Sequence, residues 1–221
     1  MCRLGSLPNR GNATHLPTPL LAITKRVITM KRLTLGVGFI SSGAYKARID
    51  GQKTKGYITW QNMLKRCYCS KMHQKQPTYI GCSVSDDWLD YQNFAEWFYN
   101  HDYSDLGYHL DKDILYPANK VYSAETCALI PSQLNTVLSS CKACRGDLPQ
   151  GVSYHKMLGK YRVRINIKGK EKHLGVFDCM QEAYKAYKQA KEANVKRMAL
   201  EWQDRIADNA FQALMNWQLT D

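Results

Sequence analysis

Residues 151–177 read GVSYHKMLGKYRVRINIKGKEKHLGVF, and this stretch decides the fold of the C-terminal part of the chain. Apolar and polar side chains alternate strictly over residues 161–167, which predicts a half-buried strand. One face would carry Tyr161, Val163, Ile165 and Ile167, and the other Arg162, Arg164 and Asn166. A tight turn at Lys168-Gly169 leads into a second run at 172–177, and residues 152–155 can add a third strand. The stretch therefore predicts a small antiparallel sheet.

The predicted sheet is strongly basic. Residues 151–177 contain seven Lys and Arg residues and one acidic residue, Glu171. The polar face of this sheet would therefore be cationic and rich in hydrogen-bond donors. A ribbon of two or three strands fits the major groove of DNA. The polar face is accordingly a candidate surface for nucleic acid.

A helix is predicted directly after the sheet. Asp178 lies where an N-cap belongs, Gln181 follows three residues later, and the helix begins near Met180. Mostly small residues on one stripe would let this helix lie close to the apolar face of the sheet. The stripe comprises Ala183, Ala186, Tyr187, Ala190 and Ala193.

Residues 151–187 resemble an AP2/ERF DNA-binding domain. The resemblance rests on the order and spacing of GV at the start, GKYR, HLGVFD and AYKAY. It implies a three-stranded antiparallel sheet packed on one helix within residues 150–197, with double-stranded DNA as the partner. The DNA-binding residues that it implies are Tyr154, Lys156, Lys160, Arg162, Arg164, Asn166, Lys168, Lys170, Lys172 and His173.

These residues would divide the work of recognition. Arginine pairs well with guanine and asparagine with adenine, and each such pair contributes ~1–3 kcal/mol of discrimination. Arg162, Arg164 and Asn166 are therefore expected to read bases. The lysines would mostly hold phosphates, which adds salt-sensitive affinity with little sequence information.

The composition of the whole chain favours a polyanionic partner. The 221 residues carry a net charge of +12, with a sequence pI near 9.3. Nucleic acid is expected before a membrane surface, and no small-molecule substrate is expected. No apolar run approaches the ~18 residues that a transmembrane helix requires. The charge is uneven, because residues 83–113 contain eight acidic residues and one basic residue, Lys112.

Residues 1–29 differ from the rest of the chain and are expected to be a disordered extension. Prolines interrupt their one apolar run, LPTPLLAI, which argues against a secretory signal. The eight cysteines are scattered, so reduced thiols and a cytoplasmic location are expected. Cys141 and Cys144 form a lone CxxC pair, whereas structural zinc needs four ligands, so structural zinc is not expected.

Residues 107–135 read GYHLDKDILYPANKVYSAETCALIPSQLN. Their apolar positions predict a strand at 109–114, a loop through Asn119, a strand at 126–130 and a helix from Ser132. This order resembles the ββα-metal core of HNH endonucleases. Together with WxxMLxRCY at 60–68 and PTYIGCxV at 77–84, it resembles phage proteins in which an HNH-like domain precedes an AP2 domain.

The combined resemblance implies an α+β chain with several parts. Residues 30–136 would form the HNH-like ββα-metal module, 137–149 a linker, 150–197 the AP2-like domain and 198–221 C-terminal helices. Upstream, an aromatic stripe from Trp88 to Phe98 is interpreted as hydrophobic core.

The HNH resemblance also implies a catalytic site. A divalent cation, Mg²⁺ or similar, would be held by Asp111 and Asn135, and Asn119 would orient the general base. Lys112 occupies the position of that base, and a lysine near its normal pKa of ~10.4 cannot accept a proton from water at neutral pH. His109, two residues before Asp111, could act as a ligand or as a displaced base.

Three functions remain open from the sequence. The first is a site-specific, homing-type DNA endonuclease. The second is a catalytically inactive DNA-binding regulator that retains the HNH-like scaffold. The third is an RNA-binding accessory factor, because a basic sheet with aromatic residues can stack unpaired bases. The sequence does not determine the target site or the oligomeric state.

Overall fold

The computed structural model describes residues 33–101, 107–139 and 147–220, and these fall within one compact unit spanning residues 31–221. The expected N-terminal extension, 1–29, lies outside the described residues. The described part of the chain is mixed α+β, as the sequence predicts. Its strands form small separate sheets rather than one continuous sheet.

The N-terminal half combines short strands with helices. The elements in order are β1 (Arg48–Ile49), β2 (Gln52–Lys53), α1 (Lys55–Tyr68), α2 (Ser70–Lys75), β3 (Ser83–Val84), α3 (Asp86–Leu89) and α4 (Tyr91–Tyr99). A single 3₁₀ turn, Pro77–Tyr79, separates α2 from β3. Thr54 caps α1 by accepting a hydrogen bond from the backbone N–H of Tyr57.

The strand–loop–strand–helix order predicted around residues 109–138 is present. Strand β4 (His109–Asp111) pairs antiparallel with β6 (Ala128–Ile130), and helix α5 (Ser132–Leu138) follows. The intervening loop contains β5 (Val121–Tyr122), which pairs parallel with β3. Both strands of the β4–β6 pair are shorter than predicted.

The aromatic stripe interpreted as core is buried. Trp88, Tyr91, Phe94 and Phe98 are each at most 2% exposed, and they pack with Trp60 of α1. The indole Nε1 of Trp60 donates to the carbonyl of Trp88 at 2.8 Å, so its one polar group is satisfied. These large side chains hold the first hydrophobic core together.

The C-terminal half contains a three-stranded antiparallel sheet. Strands β7 (Val152–His155), β8 (Lys160–Ile167) and β9 (Lys170–Phe177) pair in that order. Lys168 and Gly169 both have positive φ, 51° and 80°, as a two-residue type I′ hairpin turn requires. The register shifts between Val163 and Arg164, and the unpaired Leu174 of β9 marks a β-bulge there.

One long helix, α6 (Met180–Trp202), connects the two halves of the unit. Its first half packs on the sheet through Ala183 and Tyr187, which join the core of Val152, Val163 and Ile165. Its second half contributes Val195, Met198 and Ala199 to the first core. The helix therefore continues across the boundary expected between residues 197 and 198. A 3₁₀ turn (Gln203–Arg205) and α7 (Asp208–Met215) follow.

Two details of this helix differ from the sequence prediction. The N-cap is Cys179, without a side-chain hydrogen bond to the helix, and Asp178 instead pairs with Lys160 at 2.9 Å. Strand β9 ends at Phe177, and Asp178 lies between the end of the strand and the N-cap of the helix. Ala193 is exposed, because the buried stripe passes through Lys191 and Asn194 instead.

Gly151 makes the close approach of helix and sheet possible. Its φ is +77°, and a Cβ atom there would lie 2.0 Å from the ring of Tyr187. Only glycine adopts this backbone conformation without strain and leaves room for the tyrosine. The helix and β7 can therefore share one core.

The expected linker, 137–149, begins inside a helix. Val137 and Leu138 are the last residues of α5. Residues 140–146, which include the CxxC pair of Cys141 and Cys144, lie outside the described residues.

Candidate nucleic-acid interface and ββα cluster

The pairing of the strands defines the polar outer face of the C-terminal sheet. Residues directly opposite each other on neighbouring strands share a face. Arg162 lies opposite Ser153 and Val176, Arg164 opposite His173, and Asn166 opposite Glu171. The outer face comprises Ser153, His155, Lys160, Arg162, Arg164, Asn166, Glu171, His173 and Val176.

Five of the ten predicted DNA-binding residues meet on this outer face. They are Lys160, Arg162, Arg164, Asn166 and His173. Two more lie in turns, Lys156 after β7 and Lys168 between β8 and β9. The described structure thus brings half of the set together on one surface and puts two at its margins.

The remaining three are paired with residues on the opposite face of the sheet, which packs on the helix. Tyr154 is opposite Tyr161, Lys172 opposite Ile165 and Lys170 opposite Ile167. The Tyr154 ring packs edge-on against the Tyr161 ring at 5.3 Å between centroids. All three belong to the outer strands β7 and β9 and are exposed. They border the apolar face instead of forming the polar one.

Carboxylates already pair with several of these cations. Arg164 Nη1 lies 2.6 Å from Glu171 Oε1, Lys160 Nζ 2.9 Å from Asp178 and Lys168 Nζ 3.1 Å from Glu201. These pairs are solvent-exposed, and exposed pairs contribute only ~0–1 kcal/mol. A phosphate or a base edge can therefore displace the carboxylates at little cost.

Two buried nitrogen atoms on the outer face lack a partner. Among the described residues, His155 Nδ1 and Arg162 Nε are the buried side-chain polar atoms without a hydrogen bond. An unsatisfied buried polar atom calls for water or a ligand. His155 was missed by sequence reasoning. The signal was present, because pairing β7 with β8 puts His155 opposite Lys160.

At the other candidate site, His109 and Asn135 are in direct contact. The Asn135 side-chain amide donates to His109 Nδ1 at 3.0 Å, an assignment that leaves the ring proton on Nε2. Asp111 shares a strand face with His109, since the two are separated by one residue in β4. The ββα fold thus brings together a predicted metal ligand on α5 and the imidazole on β4.

Asp111 also shapes the turn that follows β4. Its Oδ1 accepts hydrogen bonds from the backbone N–H groups of Asp113 and Ile114, each at 2.8 Å. Burial raises the pKa of this carboxyl, and the two backbone donors offset only part of that rise. One carboxylate oxygen is therefore already used by the fold.

Lys112 is buried inside the module. Its side chain is 6% exposed, and Nζ donates to Asp113 Oδ1 and to the carbonyl of Asn119, both at 2.6 Å. Strand alternation directs it away from the face that carries His109 and Asp111. The Asn119 side chain in turn donates to the Lys112 carbonyl at 3.0 Å. Lys112 and Asn119 therefore brace the loop between β4 and β5.

The donor set for a cation is small. Within the described ranges, no group of three or more His, Cys, Asp or Glu side chains is arranged to hold a metal ion. His109, Asp111 and Asn135 supply one imidazole, one carboxylate and one amide. Mg²⁺ is commonly held by one or two carboxylates with several water molecules, and Asp111 is the one carboxylate of this set.

Two further features of the described residues are the state of their cysteines and the length of their helices. Cys67, Cys69, Cys82, Cys127 and Cys179 are free cysteines. Over these same parts of the chain, the helices lack the length and apolarity needed to cross a membrane.

Comparisons with known proteins gave no match. This holds for protein-family models, for curated proteins and for solved structures.

Proposed function

We propose that this protein binds double-stranded DNA through the outer face of its three-stranded sheet. The observation that carries the proposal is the set of Lys160, Arg162, Arg164, Asn166 and His173 on one exposed face. Glu171 is the acidic residue among them, and its charge is paired with Arg164. The net charge of +12 supports a polyanionic partner.

Each part of this surface has a distinct role. Strand β8 would lie along the major groove, where Arg162, Arg164 and Asn166 project from one side at alternate positions. Arg164 and Asn166 would read guanine and adenine edges. Arg162 would contact the DNA through its terminal guanidinium nitrogens, because its Nε is buried. The turn residues Lys156 and Lys168 would hold phosphates on either side.

Binding to selected and random duplexes tests these roles. A high-affinity site is first isolated by selection from random DNA, and dissociation constants are measured by fluorescence anisotropy. Arg164→Ala is expected to weaken binding to the selected site by about 1–3 kcal/mol and binding to random DNA much less. Lys156→Ala, which removes a proposed phosphate contact, is expected to weaken both equally. Equal losses on both duplexes for Arg164→Ala would contradict base reading by this residue.

A second candidate function is metal-dependent cleavage of DNA. The contact between His109 and Asn135, with Asp111 on the same strand face, favours it. Asp111 and Asn135 would hold a divalent cation, which when bound stabilises the negative charge on a leaving oxygen. His109 is exposed, and in its other tautomer, with Nδ1–H donating to Asn135 Oδ1 after the amide turns over, its free Nε2 would accept the proton of water. Lys112, whose ammonium group donates to Asp113 and Asn119, would take no part.

Cleavage is tested with supercoiled plasmid containing the selected site. Wild-type protein is incubated with and without Mg²⁺ and compared with Asp111→Ala and His109→Ala. Mg²⁺-dependent nicking that both substitutions abolish would support the nuclease. Retardation of the plasmid without nicking would instead support a DNA-binding protein that retains an inactive ββα scaffold.

A further inference from the structure

A cavity of about 690 Å³ lies between α5, the β8–β9 turn and α6, and Asn166 and Lys168 of the proposed DNA-binding set are part of its lining. Ile165, Met198 and Trp202 form part of its apolar lining, and Asn194 and Lys191 of α6 form part of its polar lining. This volume is within the range of about 300–1,000 Å³ that is typical of small-molecule sites. A mixed lining of this kind suits a ligand with one polar and one apolar end.

The unusual member of the lining is Lys191. The residue as a whole is 6% exposed, whereas Nζ itself reaches solvent, and within the described residues the ammonium group has no hydrogen bond and no ion pair. Burial lowers the pKa of this lysine. Buried charges are normally paired, because an unpaired buried ion costs considerable free energy. The ammonium group therefore lacks a counterion that the cavity has room to hold.

The other charged groups of the lining do not supply that counterion. Glu201 pairs with Lys168 across the cavity, at 3.1 Å, and also with Arg197 on its own helix. Among the described lining residues, the two lysines therefore exceed the one carboxylate by a single positive charge. That excess lies at Lys191.

We propose that this cavity binds a small organic anion. Its carboxylate or phosphate group pairs with Lys191, and its apolar body packs against Trp202 and Met198. Carboxylates and phosphate monoesters share the required oxyanion. Most of the lining belongs to α5 and α6, on the helix-packed side of the sheet, and Asn166 and Lys168 form the part of it nearest the outer face.

The test uses benzoate and phenyl phosphate as probes, with benzamide as the neutral counterpart of benzoate. Each is titrated into the whole protein, and the indole N–H signal of Trp202, assigned with Trp202→Phe, is followed by two-dimensional NMR. Lys191→Met removes the charge at nearly constant length. Lys196→Met removes an exposed charge from the same helix and serves as the control.

At least one of the two anions is expected to give saturable shifts in wild type and in Lys196→Met. Its affinity should fall at least tenfold in Lys191→Met, and benzamide should bind at least tenfold more weakly than benzoate. The free Lys191→Met protein should melt at a higher temperature than wild type, which would exclude misfolding as the cause of lost binding. The inference is overturned if neither anion saturates, if Lys191→Met retains full affinity, or if benzamide binds as well as benzoate. Comparing the two anions identifies which oxyanion the cavity prefers.

Discussion

Replacing Lys112 with Met distinguishes a structural lysine from a catalytic one. The substitution removes two hydrogen bonds, to Asp113 and to the Asn119 carbonyl, from a side chain that is 6% exposed. Hydrogen bonds to charged groups contribute about 1.5–3 kcal/mol each. Asp113 is 53% exposed and regains water, so the loss is smaller than the ~3–5 kcal/mol for a fully buried pair. Met also avoids the cost of burying an ammonium ion. A net loss of about 2–3 kcal/mol is therefore expected.

Thermal and urea unfolding, followed by circular dichroism, measure this loss. At about 2–4 °C per kcal/mol for a unit of this size, the melting temperature should fall by about 5–10 °C. Lys172→Met, at an exposed position on β9, should change stability by less than ~0.5 kcal/mol. A Lys112→Met protein with unchanged stability that had lost Mg²⁺-dependent cleavage would refute the structural role.

Three further predictions concern the sheet and α6. Glu171→Gln frees Arg164 from an exposed ion pair worth ~0–1 kcal/mol, so DNA affinity measured by anisotropy should rise by up to about fivefold; a decrease would argue against contact at Arg164. Gly151→Ala should destabilise the protein by about 2–4 kcal/mol in urea unfolding, because it adds strain at positive φ and overlap with Tyr187. Gly169→Ala, also at positive φ but with open space around its Cβ, should cost about half as much or less, and equal costs would exclude the clash. The stabilisation from Lys191→Met should be largest at neutral pH. The folded-state pKa of Lys191 is lowered, so the destabilisation of wild type by the charged lysine disappears as the pH rises from that pKa towards the ordinary 10.5. Lys168, Glu201 and Tyr187 are common to both proteins and do not contribute to the difference. A stability difference that grew over this pH range would contradict an unpaired ammonium group on a largely buried side chain.

Local patterns predicted the sheet well. The alternation of residues 161–167 and the Lys168-Gly169 turn define β8 and its hairpin, because strand period and turn conformation depend on neighbouring residues alone. The face of each basic residue on β7 and β9 could not be read in the same way. It depends on strand register, including the bulge after Val163, which follows from pairing across the sheet.

Features that depend on tertiary packing were harder to predict. Helix α6 contributes to two cores in succession, so its buried stripe passes through Ala183 and Tyr187 and then through Lys191 and Asn194. At the ββα cluster, the order of elements was evident from the sequence. The hydrogen-bond partners of Lys112 could not be predicted from the sequence, because they belong to a loop that Asn119 closes.

The central claim is that the outer face of the sheet binds DNA. It is tested most directly by comparing two double variants that each lose two positive charges, Arg162→Gln/Arg164→Gln on β8 and Lys185→Gln/Lys196→Gln on the exposed side of α6. Dissociation constants for a selected duplex are measured across a range of salt concentrations. The β8 variant should bind at least about tenfold more weakly, since each arginine lost from a base contact removes about 1–3 kcal/mol, and the α6 variant should bind nearly as wild type. Equal losses for both variants, or no loss for either, would contradict the claim.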